Sequence, residues 1–332
     1  MSVTIIDIAE RIGVSYTTVS RALNGKKGVS EKTRQRIIEE AKKMGYQPNA
    51  IARGLVSKST NTIGLIIPDI TNPFFPDVAR GVEDAARNAN LNVFLCNSNW
   101  DKEREREILE ALRQNRVDGI IINPNSYSNV EFLDQLGIPV VYLNTKVDDG
   151  ESTYIGIDNI KGAVIATEHL IECGYERIAY VGGTVKSYSN NQRVKGYLQA
   201  LETQGISKDP SIIVNGKFET ESGYEITKRL LKSDNPPDAI FAGNDIIALG
   251  VLQCAQEMGL DIPDKFGIVG FDDIYTSSLP QIQLSTVAMP KYFLGKKAFE
   301  LLLDKLNSEE TGVAQYVIKP KLIVRKTTGR KK

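Results

Sequence analysis

The chain has 332 residues, 41% of them apolar and 25% charged, and its 41 basic side chains balance its 41 acidic ones. That is the composition of an ordinary soluble globular protein, at a length that exceeds what one domain usually holds. The absence of any 18-residue apolar run argues against a spanning helix, three scattered cysteines (Cys96, Cys173, Cys254) against a disulfide framework, and a single histidine, His169, against a zinc site or a serine-type triad.

A polar start that enters a helix at once predicts no signal peptide, and with it a cytoplasmic protein. Thr4 can cap a first helix, with Asp7 at capping-box spacing and Ile5, Ile8 and Ile12 facing inward until Gly13. Ser15 is the natural N-cap of a second helix, Tyr16 to Leu23, with Val19, Ala22 and Leu23 on one side. Asn24-Gly25 breaks the chain. Ser30 caps a third run, in which Ile37, Ile38, Ala41 and Met44 recur at helical spacing up to Gly45. Two short helices joined by a glycine-containing turn are the helix-turn-helix pattern, whose second helix offers its N-terminal residues to base edges in the major groove.

Those residues are Ser15, Tyr16, Thr17 and Thr18, with Ser20 and Arg21 one turn later; Thr4 is counted with them as a candidate DNA contact. Tyr16 has no apolar partner at its spacing and suits an exposed reading face. Thr17 can meet a base edge or a thymine methyl, and Arg21 a guanine or a phosphate. Charge agrees. Residues 1–60 hold eleven Lys and Arg against five Asp and Glu, while the remainder holds thirty against thirty-six. The zero net charge conceals a basic head on an acidic body, as attraction to phosphates requires.

Pro48 stops the third helix region, and Asn49 can cap a last short helix, Ala50 to Ser57. Two turns with Gly54 inside are marginal alone in water, and Ile51, Leu55 and Val56 have nothing of their own to bury against. Such a segment suits folding against a partner. VSYTTVSRALNG and YQPNAIARGLVSK resemble the DNA-binding head and hinge of the lactose-repressor/galactose-repressor family of bacterial transcription regulators. The resemblance implies that Asn49, Ala52, Arg53 and Leu55 join the DNA contacts. Leu55 would wedge into the central base step of the minor groove, with Ala52 on the groove floor and Arg53 near phosphates.

From Thr60 onward strands alternate with helices. Strand-like runs at 62–68, 92–97, 118–124, 139–144 and 153–158 enclose helices at about 76–90, 102–116 and 129–136. The pattern restarts with helices at 160–173, 190–204, 221–232 and 246–258 between strands at 177–183, 211–216, 238–244 and 266–272. A helix at about 291–306 and one extended run, 316–328, close the chain. Alternation of this kind predicts two α/β lobes built on parallel sheets, with Ser285 to Pro290 and the final strand passing between them. The expected division is a head at 1–48, a hinge at 49–60 and a core at 61–330. Within the core, the N-lobe takes about 61–160 and 291–320, and the C-lobe about 161–290 and 321–330.

Open α/β sheets bind ligands beyond the carboxyl ends of their strands. Asn72, Phe74 and Phe75 follow the first strand, Asn123 and Asn125 the third, Asn144 the fourth and Asp158 the fifth. Ser187, Ser189, Arg193, Phe218, Asn244, Asp245 and Asp272 follow strands of the second series. Aromatic faces with amides and carboxylates around them make a carbohydrate pocket, although Asn and Asp also favour strand-end turns for local reasons.

DITNPFF, GIDN, RVKGY, GNDIIALG, GFDD and LSTV followed by a proline resemble the effector core of the same family, itself similar to periplasmic sugar-binding proteins. By that resemblance Phe74 and Phe75 would stack on a sugar ring and Phe218 would close its other side. Arg193, Asn244 and Asp272 would bind hydroxyls, with Asp158 and Ser189 as secondary candidates. Where ribose-type proteins carry an Asp-Arg pair this chain has Asn144-Thr145, and Met289 stands where a glutamine is expected, so the resemblance implies a sugar without fixing which. The implied molecule is a homodimeric repressor on a pseudo-palindromic operator. A regulator with a purine or a protein co-repressor is the alternative. A carbohydrate-active enzyme lacks any motif pairing two carboxylates, and no cofactor or metal is expected.

Overall fold

The computed structural model describes residues 3–46, 59–125, 129–147, 152–308 and 313–329. The chain divides into two compact units, Met1–Thr60 and Asn61–Lys332.

In the first unit α1 (Ile5–Ile12), α2 (Tyr16–Leu23) and α3 (Glu31–Lys43) begin on the expected caps. Thr4 and Asp7 form the reciprocal capping box, and the hydroxyls of Ser15 and Ser30 accept from Thr18 N–H and Thr33 N–H. Gly13 ends α1 in the left-handed conformation, at φ 77°. Ile8, Ile12, Val19, Ala22, Ile37 and Ala41 form the core. Ile38, expected on that inner face, instead points to solvent and is 42% exposed, because Ile37 already fills the contact with α1 and α2. Arg34 binds the carbonyls of Ala22 and Lys26, each at 2.8 Å, and so fastens the end of α2 and the loop behind it to α3.

The second unit is built on two six-stranded sheets. The first holds β1 (Thr62–Ile67), β2 (Asn92–Asn97), β3 (Gly119–Ile122), β4 (Val140–Leu143), β5 (Thr153–Ile157) and β11 (Gln315–Ile318), in the order β2-β1-β3-β4-β5-β11, all parallel. The second holds β6 (Ile178–Gly182), β7 (Ile213–Asn215), β8 (Ala239–Ala242), β9 (Gly267–Asp272), β10 (Ser285–Ala288) and β12 (Lys321–Ile323), in the order β7-β6-β8-β9-β10-β12. Buried apolar strands such as TIGLII and GIVGFD need helices on both faces. In the first lobe these are α4 (Phe74–Asn88), α5 (Lys102–Gln114), α6 (Val130–Gln135) and α11 (Lys291–Asn307). In the second they are α7 (Asn159–Glu172), α8 (Tyr188–Thr203), α9 (Thr220–Leu231) and α10 (Asp245–Glu257). α4 and α11 cross at reciprocal glycines: a Cβ on Gly81 would meet the Tyr292 carbonyl at 2.2 Å, and one on Gly295 the Val78 carbonyl at 2.0 Å.

The single extended run expected at 316–328 is two strands in two different sheets, and β12 runs antiparallel to β10 with Thr286 opposite Ile323. The reason is topological. β11 leaves the first sheet at its carboxyl edge, crosses over Lys319-Pro320, and meets the second sheet at that sheet's carboxyl edge, so it must run against its neighbour. None of Cys96, Cys173 and Cys254 is in a disulfide among the described residues; Cys254 is buried and the other two are half-buried. No described helix is long and apolar enough to cross a membrane.

Candidate functional site

On the head, the start of α2 presents an exposed polar face. Tyr16 is 59% exposed, and Thr17 and Arg21 are exposed beside it. The Ser15 hydroxyl lies 2.7 Å from that of Thr17 and 2.8 Å from that of Thr18, so the cap also aligns the hydroxyls that lead the helix. Ser20 is half-buried, one turn on. Thr4 is exposed at the head of α1, with its hydroxyl donated to Asp7 at 2.8 Å; Thr4 also holds the Asp7 carboxyl below its usual range. Asn49, Ala52, Arg53 and Leu55 lie outside the described residues.

In the second unit both sheets have their topological switch point beside the strand that opens them: β1 between β2 and β3, and β6 between β7 and β8. Crevices at these points are where open α/β sheets take ligands. The residues that follow β1 and β3 face those that follow β6 and β8 across a cleft. From the first lobe come Asn72, Phe74, Phe75, Trp100, Asn123 and Asn144; from the second come Ser187, Ser189, Arg193, Phe218, Asn244 and Asp272. The Asn72 carboxamide oxygen accepts Phe74 N–H at 3.0 Å and starts α4 so that Phe74 and Phe75 enter as an edge-to-face pair, ring centroids 5.0 Å apart.

Arg193 is the buried cation of the cleft. Its Nε donates to Asn159 at 2.8 Å, its Nη1 to the Gly243 carbonyl at 2.5 Å, and the guanidinium lies 3.7 Å from the centre of the Phe271 ring. Only Nη2 faces Asp272, at 3.5 Å. Burial pushes the Asp272 carboxyl up to about 6, while Arg193 and Lys291 pull it down. Asp272 also sits at φ 109°, a strained conformation for a residue with a Cβ, held by Lys291 Nζ on the carbonyls of Asp272 and Asp273 at 3.0 and 2.5 Å. Asn244 uses its oxygen to cap α10 through Ile247 N–H, leaving its NH₂ for a ligand. The Asn144 oxygen is buried and has no hydrogen-bond partner among the described residues, while its amide reaches Asn123 at 3.5 Å. A buried acceptor left open at a cleft wall is a place for a ligand hydroxyl.

Other strand-end residues are spent locally. Asp158 does not line the cleft: its carboxylate caps α7 by accepting Lys161 N–H at 2.9 Å. Asp245 is turned fully inside, accepting from Ile274 N–H, Ser277 and Thr286. Asn125 pins loops behind the cleft. Of the departures from the ribose pattern, Asn144 lines the cleft, Thr145 is buried beside it, and Met289 belongs to the apolar core. Trp100 is the residue that the strand-end inventory missed. It stands four residues beyond the last apolar position of β2, and a lone aromatic in a loop carries no periodic signal.

Residues 4–49 match the family model described as bacterial regulatory proteins, lacI family, and residues 167–328 match the periplasmic binding protein-like domain. Catabolite control protein A of Priestia megaterium is 39% identical over 93% of this chain and 94% of its own. The chain belongs to the LacI family of bacterial regulatory proteins. Another LacI-family relative, the ribose operon repressor of Halalkalibacterium halodurans, is 38% identical over 98% of this chain and 97% of its own. Among solved structures, the lac repressor dimer bound to operator and the anti-inducer ONPF superposes with a TM-score of 0.88, with 27% identity over 98% of this chain and 99% of that one. As a LacI-family protein the chain is a DNA-binding transcription regulator.

Proposed function

We propose that this regulator binds an uncharged small sugar in the interlobe cleft, and that occupancy of the cleft decides whether a homodimer holds a pseudo-palindromic operator. The observation that carries the sugar reading is the pairing of Arg193 with Asp272. The cleft offers a ligand strong donors and acceptors at no net charge, next to the Phe74–Phe75 pair and the open Asn144 oxygen. That set suits hydroxyls above and an apolar ring face below. A phosphorylated or carboxylated effector would find Arg193, the cation among the described lining residues, already neutralised. The name of the ribose operon repressor among the relatives supports a sugar.

The operator contact is assigned to Ser15, Tyr16, Thr17, Thr18, Ser20 and Arg21, with Thr4 at the edge. The hinge contact is assigned to Asn49, Ala52, Arg53 and Leu55. The lac repressor dimer, solved on its operator, supports the dimeric reading. The cleft is read as a sensor and not a catalytic centre, and the protein as cytoplasmic, in keeping with relatives named as regulators. Coupling between cleft and operator equals the effector's differential affinity for the two states, typically about 1–3 kcal/mol. Melting-temperature screening against pentoses, hexoses, disaccharides and purines tests the effector class. A hit confined to purines would end the sugar reading, and gel-shift titration with and without the hit gives the sign of the response.

A further inference from the structure

Trp100 is the chain's one tryptophan, and it lines the cleft half-buried. Its indole stacks on Phe218, with ring centroids 5.1 Å apart and planes 26° from parallel. The two rings come from opposite lobes, Trp100 from the loop between β2 and α5 and Phe218 from the loop between β7 and α9. Both are held from behind. A Cβ on Gly183 would fall 2.4 Å from two atoms of the Phe218 ring, so that ring lies flush against bare backbone.

The Trp100 loop is fixed by a buried polar cluster. Asn125 Nδ2 donates to the Ser98 hydroxyl at 2.8 Å and to the Asp101 carbonyl at 3.2 Å, one residue to either side of the 99–100 turn. Glu105, fully buried, accepts Asn125 N–H and Asn129 Nδ2, each at 2.8 Å. Asn99 and Trp100 themselves sit at φ 54° and 57°, a tight left-handed turn just beyond the end of β2. A ring fastened in this way behaves as a wall and not as adaptable lining.

We propose that Trp100 selects the size of the effector: with Phe218 it roofs the space next to the Phe74–Phe75 pair and restricts the cleft to a single sugar ring. This rests on the sugar reading given above and goes beyond it by naming the ring count and the residue that sets it. Arg193, Asp272, Asn144 and Asn244 suffice for the hydroxyls of one ring, and a second ring attached through a glycosidic bond meets the stacked pair. The face of Phe218 that would otherwise cover a sugar is already covered by the indole.

The test is titration calorimetry of the full chain and of Trp100→Ala with D-ribose, D-xylose, D-glucose, D-galactose, cellobiose, maltose and sucrose. Tryptophan emission of the unsubstituted chain is the second readout, since it reports this one site. The expected result is that the unsubstituted chain binds a monosaccharide about 100-fold more tightly than any disaccharide, with a shift in emission on saturation. Trp100→Ala then narrows that preference by about tenfold or more, through gained disaccharide affinity. If Trp100→Ala does not fold, Trp100→Leu removes the flat ring, keeps most of the apolar volume, and carries the same expectation. A preference unchanged within about threefold overturns the proposal and leaves the sugar reading standing. Disaccharide binding by the unsubstituted chain as tight as monosaccharide binding does the same. No binding of any of the seven sugars overturns both.

Discussion

Ser189 and Asn144 meet across the cleft: the Ser189 hydroxyl in the first turn of α8 donates to the main-chain carbonyl of Asn144, beyond the end of β4, at 3.0 Å. Asn144 has a left-handed backbone, at φ 52°, which asparagine tolerates better than most residues. The bond therefore joins the two lobes across the cleft, and it is expected to favour the arrangement in which they enclose an effector. Ser189→Ala removes one neutral hydrogen bond, worth about 0.5–1.5 kcal/mol, so effector affinity is expected to fall about three- to tenfold. Calorimetry with the effector checks this; full affinity in the variant would detach Ser189 from closure.

Asp272 and Arg193 carry a different expectation, because each leaves the other buried when removed alone. Arg193→Ala strands a buried carboxylate, and the stability loss of about 3–5 kcal/mol that follows would obscure any binding effect. Asp272→Asn is the cleaner variant, since it keeps the shape and one acceptor at the cleft. Effector binding is expected to weaken about tenfold or more, while operator binding without effector persists in a gel shift. Undiminished effector affinity in Asp272→Asn would remove this residue from the site.

Tyr16 is exposed at the start of α2, and its loss should cost the head little stability. Surface substitutions away from special features usually stay within about 0.5 kcal/mol. Tyr16→Ala is thus expected to leave the melting temperature nearly unchanged and to cost about 1–3 kcal/mol of operator affinity. Arg21→Ala should in addition reduce the salt dependence of binding if the guanidinium lies on a phosphate. Titration with operator and with random duplex at two salt concentrations separates the two contributions. Equal losses on both duplexes would make Tyr16 a backbone contact instead of a base contact.

The head was legible in the sequence nearly in full because each of its signals is local. A cap acts on a group three residues away, and Thr4, Ser15, Ser30 and Gly13 do what their positions require. The alternating body was legible for a similar reason, since buried parallel strands are continuous apolar runs. What was not legible depends on contacts between distant elements. Ile38 belongs to the same apolar repeat as Ile37, and only the placement of α1 and α2 decides which one is covered. Asp158, Asp245 and Asp272 all stand at or just beyond strand ends, yet one caps a helix, one is sealed inside and one faces the cleft. Trp100 acquires a partner only when a second lobe supplies Phe218.

Asp245 provides a test that needs no ligand. Its carboxyl is buried and stands near Asp272; burial first, and the neighbouring charge second, push it up to about 7, against the pull of its three hydrogen-bond donors. A carboxyl whose folded-state value lies above the unfolded 3.8 holds a proton that the unfolded chain has already lost. Stability is then highest on the acid side of this window and falls as the pH rises towards and through about 7. Asp272, raised to about 6, acts in the same direction over a lower range. His169 acts oppositely: burial lowers its value below 6.5, so it costs stability as the pH drops beneath that point. Between pH 6.5 and 8 Asp245 therefore supplies the larger part of the slope, about 1 kcal/mol in total, or roughly one to two degrees in melting temperature. Asp245→Asn keeps an oxygen for Ile274 N–H and Ser277 and can donate to Thr286, whose hydroxyl also accepts. Scanning calorimetry of the full chain and this variant is expected to show melting temperatures that diverge with rising pH, the variant losing less. Parallel curves over that interval would mean that Asp245 is ionised throughout, with its three donors outweighing its burial.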